Sequence, residues 1–195
     1  MKIQRTLQFI ALSIWLLFAS GAQATELAGR VVRVFDGDTI DFLTDTHTLV
    51  RVRLAGIDAP ERKQPFSHAA KLALIDMALS KRAMLQVEKE DRYGRLVAKL
   101  IVEGRDANLF LIRQGLAWHY KKYEHEQGAQ DRVRYAAAEV AAKRERLGLW
   151  EHPLPIPPWD FRARSRARPR EVAYFTESIT NGVVGGLLVV IRRAT

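Results

Sequence analysis

Apolar and polar residues alternate over GRVVRVF (29–35), TIDFL (39–43) and HTLVRVRLAGI (47–57), with β-branched side chains prominent. That period-two pattern predicts three strands, each buried on one face. FDGD (35–38) and TDTH (44–47) supply short polar turns, so the three strands form an antiparallel meander. After Ala59, Pro60 and Glu61 the period lengthens. Ala69, Leu72, Ala73, Asp76 and Leu79 fit an amphipathic helix over 67–80. AMLQVEKE (83–90) and LVAKLIVEG (96–104) predict a further strand pair around DRYGR, where Gly94 suits a tight turn. Asp106 is placed to cap a short helix over 107–115, ended by Gly115. The Ala-, Arg- and Glu-rich stretch 130–147 predicts a last helix, stopped by Gly148, with one face on the core and a charged face in water. Helices do not alternate with strands. The expected class is therefore mainly β with helices (α+β), a small closed barrel of five strands with about three helices packed on it.

The two ends of the chain read differently. Residues 1–24 carry Lys2 and Arg5, then an apolar run from Phe9 to Phe18, then Ala22-Gln23-Ala24. That order is a signal peptide with cleavage after Ala24, and the run is shorter than the roughly 20 residues a spanning helix needs. The protein is accordingly expected to be exported, periplasmic or secreted. Four prolines in HPLPIPPW (152–159) end the compact part, leaving a domain over 25–151 and a flexible Pro/Arg-rich tail over 152–195. The apolar GVVGGLLVVI (182–191) is too short to span a bilayer.

Composition narrows the chemistry. The 195 residues are 48% hydrophobic and 27% charged, a globular balance. No cysteine is present, which excludes disulfide scaffolds, Cys-ligated zinc, iron–sulfur clusters and thiol nucleophiles. Lys and Arg number 31 against 22 Asp and Glu, a net charge of +9, and this excess points to a polyanionic partner. Much of it sits in the tail, with arginines at 162, 164, 166, 168 and 170. Those arginines suit tethering to polyanions by counterion release, or contact with an anionic membrane.

The candidate chemistry lies in DGDTI (36–40), RLAGIDAPE (53–61) and DRYGRLVAKL (91–100). A lone Asp in a turn is usually a backbone cap. Here Asp38 and Asp58 stand at strand ends together with Glu61, Arg53 and Arg95. Carboxylates suit a hard divalent cation, guanidinium forks suit a phosphodiester, and a free carboxylate can take a proton from water. His47, His68, His119, His125 and His152 show no paired metal spacing and read as surface or partly packed residues. Trp118, Trp150 and Trp159, at element ends, read as packing anchors.

These clusters, with LIRQGLA (111–117), resemble the paired signatures of the staphylococcal nuclease (thermonuclease) family over most of residues 29–150. The resemblance implies an OB-fold barrel and a calcium-dependent nuclease acting on DNA and RNA and leaving 3′-phosphate ends. By position it implies Asp38 and Asp58 as calcium carboxylates, with Ala59 offering its backbone carbonyl where some members have Thr. Asp36 then shapes the loop without ligating. Arg53 and Arg95 match the transition-state arginines and Glu61 the proposed general base. Arg92 and Tyr93 match the pair that grips a neighbouring phosphate, and Tyr120 or Tyr123 is placed to stack on a base. A monomer is expected. The alternative is a non-catalytic nucleic-acid-binding barrel of the same ancestry, which has no need of Asp38, Asp58, Arg53, Glu61 and Arg95 together.

Overall fold

A computed structural model describes residues 25–167. The expected signal peptide and the tail beyond Ala167, including 182–191, lie outside the described residues. Strands β1 (Thr25–Val34), β2 (Thr39–Thr44) and β3 (Leu49–Leu54) form the antiparallel meander, with Arg30 opposite Leu43 and Ile40 opposite Val52. Strand β4 (Ile57–Asp58) and helix α1 (Ser67–Ala78) follow, then the antiparallel pair β5 (Arg82–Glu90) and β6 (Leu96–Val102). β1 also pairs with β5, and β3 pairs with β6 in parallel, Val52 opposite Leu96. That parallel contact closes five strands into a barrel in the order β3-β2-β1-β5-β6. It removes both sheet edges, as an OB-type barrel requires.

The inward residues of the alternating strands fill the barrel. Val31, Ile40, Phe42, Val52, Leu54, Leu85 and Leu100 are all buried in one core cluster. After the short strand β7 (Arg105–Asp106), helix α2 (Ala107–Arg113) adds Leu109, Leu111 and Ile112 to that core. Asp106 caps α2 as expected, its Oδ1 accepting from Leu109 N at 2.9 Å. Asn108 stitches α2 to the barrel: its amide donates to Ala55 O, and its Oδ1 accepts from Leu100 N.

Strand β8 (Trp118–His119) pairs with β4, and helix α3 (Ala129–Arg144) closes the far side with Tyr135 and Ala138 in the core. Helix α3 ends before the predicted stop. Arg146 adopts a left-handed φ of 52° and Leu147 N donates back to Ala142 O, so the chain turns out of the helix ahead of Gly148. His119 departs from the expected surface or partly packed setting. It is buried, and its Nε2 shares a 2.8 Å hydrogen bond with Gln127 Oε1.

The largest departure is a fourth α-helix, α4 (Pro158–Ala167), where a flexible tail is expected. Pro158 begins it, a position whose missing N–H costs nothing. The segment is held down because Trp159 stacks on Tyr120 and meets Trp118 edge-on, while Gln64 Nε2 donates to Ile156 O at 2.8 Å. None of the described helices is long and apolar enough to cross a membrane.

Candidate active site

Strand register assembles the site. Thr39 lies opposite Arg53 across β2 and β3, so the residue before β2, Asp38, sits beside the Arg53 side chain. Leu54 N donates to Asp38 O at 2.8 Å and fixes the loop end. Asp36 Oδ1 accepts from Asp38 N at 3.0 Å, which shapes the turn from within. Gly37 is required by close approach: a Cβ there would lie 2.7 Å from the Cβ atoms of both Ala59 and Ala70. The loop can therefore pack against α1 and the residue after β4.

Asp58 is delivered from the other side by β4, where it pairs with Trp118. Arg53 bridges the two carboxylates. Its Nη1 is 2.6 Å from Asp38 Oδ2 as an ion pair, without hydrogen-bond alignment, and its Nη2 donates to Asp58 Oδ1 at 2.8 Å. Ala59 N donates to Asp38 Oδ2 at 2.7 Å. Glu61 stands at the outer end of the loop, its backbone N bonded to Gln64 Oε1. From above comes Arg162 of α4. Its Nη2 donates to Asp58 Oδ2 at 2.8 Å, and its Nη1 to Asp58 Oδ1 at 3.2 Å and Glu61 Oε1 at 2.6 Å.

Burial sets the electrostatics. It pushes the Asp38 carboxyl up to about 7; the Arg53 charge opposes this, and the neighbouring Asp36 and Asp58 add to it. For Arg53, burial works to lower the pKa, but the surrounding Asp38, Asp58 and Asp36 outweigh it and hold the guanidinium charged. Arg162 is likewise raised, because its bonds to Asp58 and Glu61 exceed the cost of its burial.

The donor set is oxygen only, with Asp36, Asp38, Asp58 and Glu61 gathered around Arg53 and Arg162 on a cleft otherwise lined by basic residues. Carboxylate oxygens of this kind fit a hard divalent cation. Among the described residues no group of three or more His, Asp or Glu converges as a ready cage. Asp38, Asp58 and the Ala59 carbonyl would hold such an ion, with water completing the shell.

The β5–β6 turn brings the third cluster to the same cleft of about 970 Å³. Gly94 takes φ 73° in that turn, and Asp91 Oδ1 accepts from Tyr93 N and Arg95 N. Asp91 Oδ2 grips the Arg95 guanidinium, with Nε at 2.8 Å and Nη2 at 2.7 Å. Arg95 thus lines the cleft, pinned by Asp91 rather than by the site carboxylates. Arg92 and Tyr93 are exposed beside it, with Arg92 Nη2 donating to Tyr93 OH at 2.8 Å.

Tyr120 also lines the cleft, with one ring face stacked on the indole of Trp159, centroids 5.4 Å apart. Tyr123 meets Tyr120 edge-on and remains exposed. Arg162 is the site residue that the sequence reading missed. Its signal was present, since Trp159, Arg162, Ala163 and Arg166 all line the cleft at helical spacing. The alternate-residue run of arginines hid it.

A closed barrel presenting acids and arginines on one rim defines an OB-type protein whose cleft suits a charged ligand. Residues 51–152 match the family of staphylococcal nuclease homologues. The chain is 37% identical over 169 residues to the micrococcal nuclease of Shigella flexneri, covering 82% of this chain and 94% of that protein. It is 38% identical over 165 residues to protein ParB of Escherichia coli, covering 80% and 90%. An uncharacterised endonuclease of Haemophilus influenzae is 37% identical over 137 residues, covering 70% and 74%. This chain belongs to the staphylococcal nuclease family: by class it is a nuclease on an OB-type barrel.

Proposed function

We propose that this chain is an exported, calcium-dependent endonuclease that hydrolyses DNA and RNA without regard to the sugar and leaves 3′-phosphate ends. The observation that carries the reading is the clamp Asp38–Arg53–Asp58, with Glu61 and Arg95 on the same cleft. A binding-only barrel has no use for that combination. When bound at Asp38, Asp58 and the Ala59 carbonyl, a divalent cation supplies Lewis-acid polarisation of a non-bridging phosphate oxygen.

The chain's own residues do the rest. Glu61 accepts the proton of the attacking water as its oxygen bonds to phosphorus, and the 5′-oxygen departs with a proton from solvent. Arg53 and Arg95 set their positive charge beside the oxygens that gain charge in the crowded transition state. Arg53 is already oriented by two carboxylates and Arg95 by Asp91, so little reorganisation remains at the moment of reaction. Arg92 and Tyr93 hold a neighbouring phosphate, and the exposed Tyr123 offers a ring face to a base.

The decisive experiment digests plasmid DNA and total RNA with Ca²⁺, with Mg²⁺ and with EGTA, then maps the ends. Cleavage with Ca²⁺ alone and 3′-phosphate products are expected. Undiminished cleavage in EGTA overturns the cation dependence, and binding without cleavage under every condition turns the reading into the non-catalytic one. Recovery of the protein from periplasm or medium, beginning at Thr25, tests export.

A further inference from the structure

Asp58 has no oxygen to spare. Its Oδ1 accepts from Arg53 Nη2 and Arg162 Nη1, and its Oδ2 accepts from Arg162 Nη2. The carboxylate is only 1% exposed, so it offers no second outer face. Arg53 holds it from inside the barrel, whereas Arg162 reaches it from a helix 104 residues further along the chain. The same Arg162 Nη1 sits 2.6 Å from Glu61 Oε1.

We propose that α4 is a strap that closes the carboxylate site, with Arg162 and a divalent cation competing for Asp58. The inference rests on the cation-dependent reading above. A guanidinium forked on both oxygens of Asp58 occupies the approach a cation needs and also neutralises Glu61. The strap is built to yield. Pro158 is the only residue of α4 that is buried, and the helix is anchored mainly through Trp159 and the Arg162 ion pairs. An element with so few buried contacts opens at low cost. The coupling is reciprocal: the cation loosens the strap by the same factor by which the strap weakens the cation.

The test titrates Ca²⁺ alone, by calorimetry, into the full chain and into Arg162→Ala, Trp159→Leu and Arg166→Ala. Arg166 lies on the same helix and lines the same cleft, and it has no ion pair or hydrogen bond among the described residues. With the open strap populated at about one tenth, Arg162→Ala binds Ca²⁺ about tenfold more tightly, because apparent affinity scales with the competent fraction. Trp159→Leu moves in the same direction, and Arg166→Ala changes affinity by less than about twofold. In the native chain, saturating Ca²⁺ also speeds trypsin cleavage after Arg164. Ca²⁺ binding that is unchanged or weaker in Arg162→Ala overturns the competition alone. So does equal tightening in Arg166→Ala, which would make the effect one of net charge. An absence of Ca²⁺ binding in every protein overturns the competition and the cation-dependent reading together.

Discussion

The indole of Trp159 lies nearly parallel to the ring of Tyr120, with centroids 5.4 Å apart and planes 18° apart. That stack joins the residue after β8 to the start of α4, and Trp118 braces it from the edge at 6.4 Å. An aromatic pair contributes about 0.5–1.5 kcal/mol beyond the area it buries. Trp159→Ala should therefore cost about 1 kcal/mol, or about 2–4 °C in Tm for a domain of this size. Tyr120→Phe keeps the stack, and the Tyr120 hydroxyl has no hydrogen bond among the described residues, so its Tm should stay within about 1–2 °C. Thermal unfolding of both variants checks the pair. Equal losses would mean that the hydroxyl, not the stack, holds α4.

Arg53 compensates two carboxylates at once, and only 16% of its side chain is exposed. Removing one partner from such a cluster leaves uncompensated buried charge, at a cost of about 3–5 kcal/mol. Arg53→Ala should lose stability of that order in denaturant titrations. Arg53→Lys keeps the charge but not the fork, so it cannot span Asp38 and Asp58 together. It should retain most of the stability while turnover falls by about 10²-fold or more. Turnover near normal in Arg53→Lys would show that charge alone suffices there.

The strand pattern and the acid–arginine clusters were legible because each has a local cause. Alternation over 29–57 marks faces of strands, and the Asp and Gly of 36–38 mark a turn whose side chains have few other uses. The parallel closure of β3 on β6 was not legible, since it depends on which edges meet after the meander has coiled. Helix α3 was overextended because Ala, Arg and Glu favour helix through Leu147, whereas tertiary contacts between Leu147, Leu149 and Gly115 end it sooner. The buried His119 and Glu139 were missed for the same reason, as neither sits in a local pattern that announces burial. Arg162 was hidden by its neighbours. An arginine at every second position reads as a solvated strip, and only the 3.6-residue period from Trp159 reveals a face.

Asp91 never touches the carboxylate cluster, yet it fixes the Arg95 guanidinium through Nε and Nη2. Burial works to raise its pKa, but hydrogen bonds from the Arg95 side chain and from the Arg95 and Tyr93 amides hold it below the usual carboxylate value. A half-buried pair of this kind at the surface adds only modestly to stability. Its value is positional. Asp91→Ala should leave the fold and Tm nearly unchanged while turnover falls by about 10- to 100-fold. Asp91→Asn keeps the acceptor for the turn amides and should fall between. A large loss of Tm in Asp91→Ala would assign the residue to the turn rather than to Arg95.

Glu139 is a buried carboxylate on α3, with 2% of its side chain exposed. Burial works to raise its pKa, but Lys121 Nζ at 2.8 Å and Lys143 Nζ at 2.9 Å outweigh it, and the result lies below 4.5. The His119 amide adds a bond to Oε1 at 3.1 Å. A carboxylate whose folded pKa is depressed contributes stability that is complete above the unfolded value of 4.5. That stability is lost as the pH falls through the folded value. The native protein should therefore weaken on the acid side of about pH 4.5, part of that slope belonging to this one group. Glu139→Gln keeps the shape and an acceptor but removes the charge. At pH 7 it should cost about 1.5–3 kcal/mol, the range for hydrogen bonds to a charged group. Below pH 4 the gap between variant and native protein should narrow, because the native carboxylate is then taking up its proton. Urea titrations of both proteins from pH 3 to pH 7 measure the gap directly. A gap that stays constant across that range would mean that Glu139 acts through packing and not through its charge.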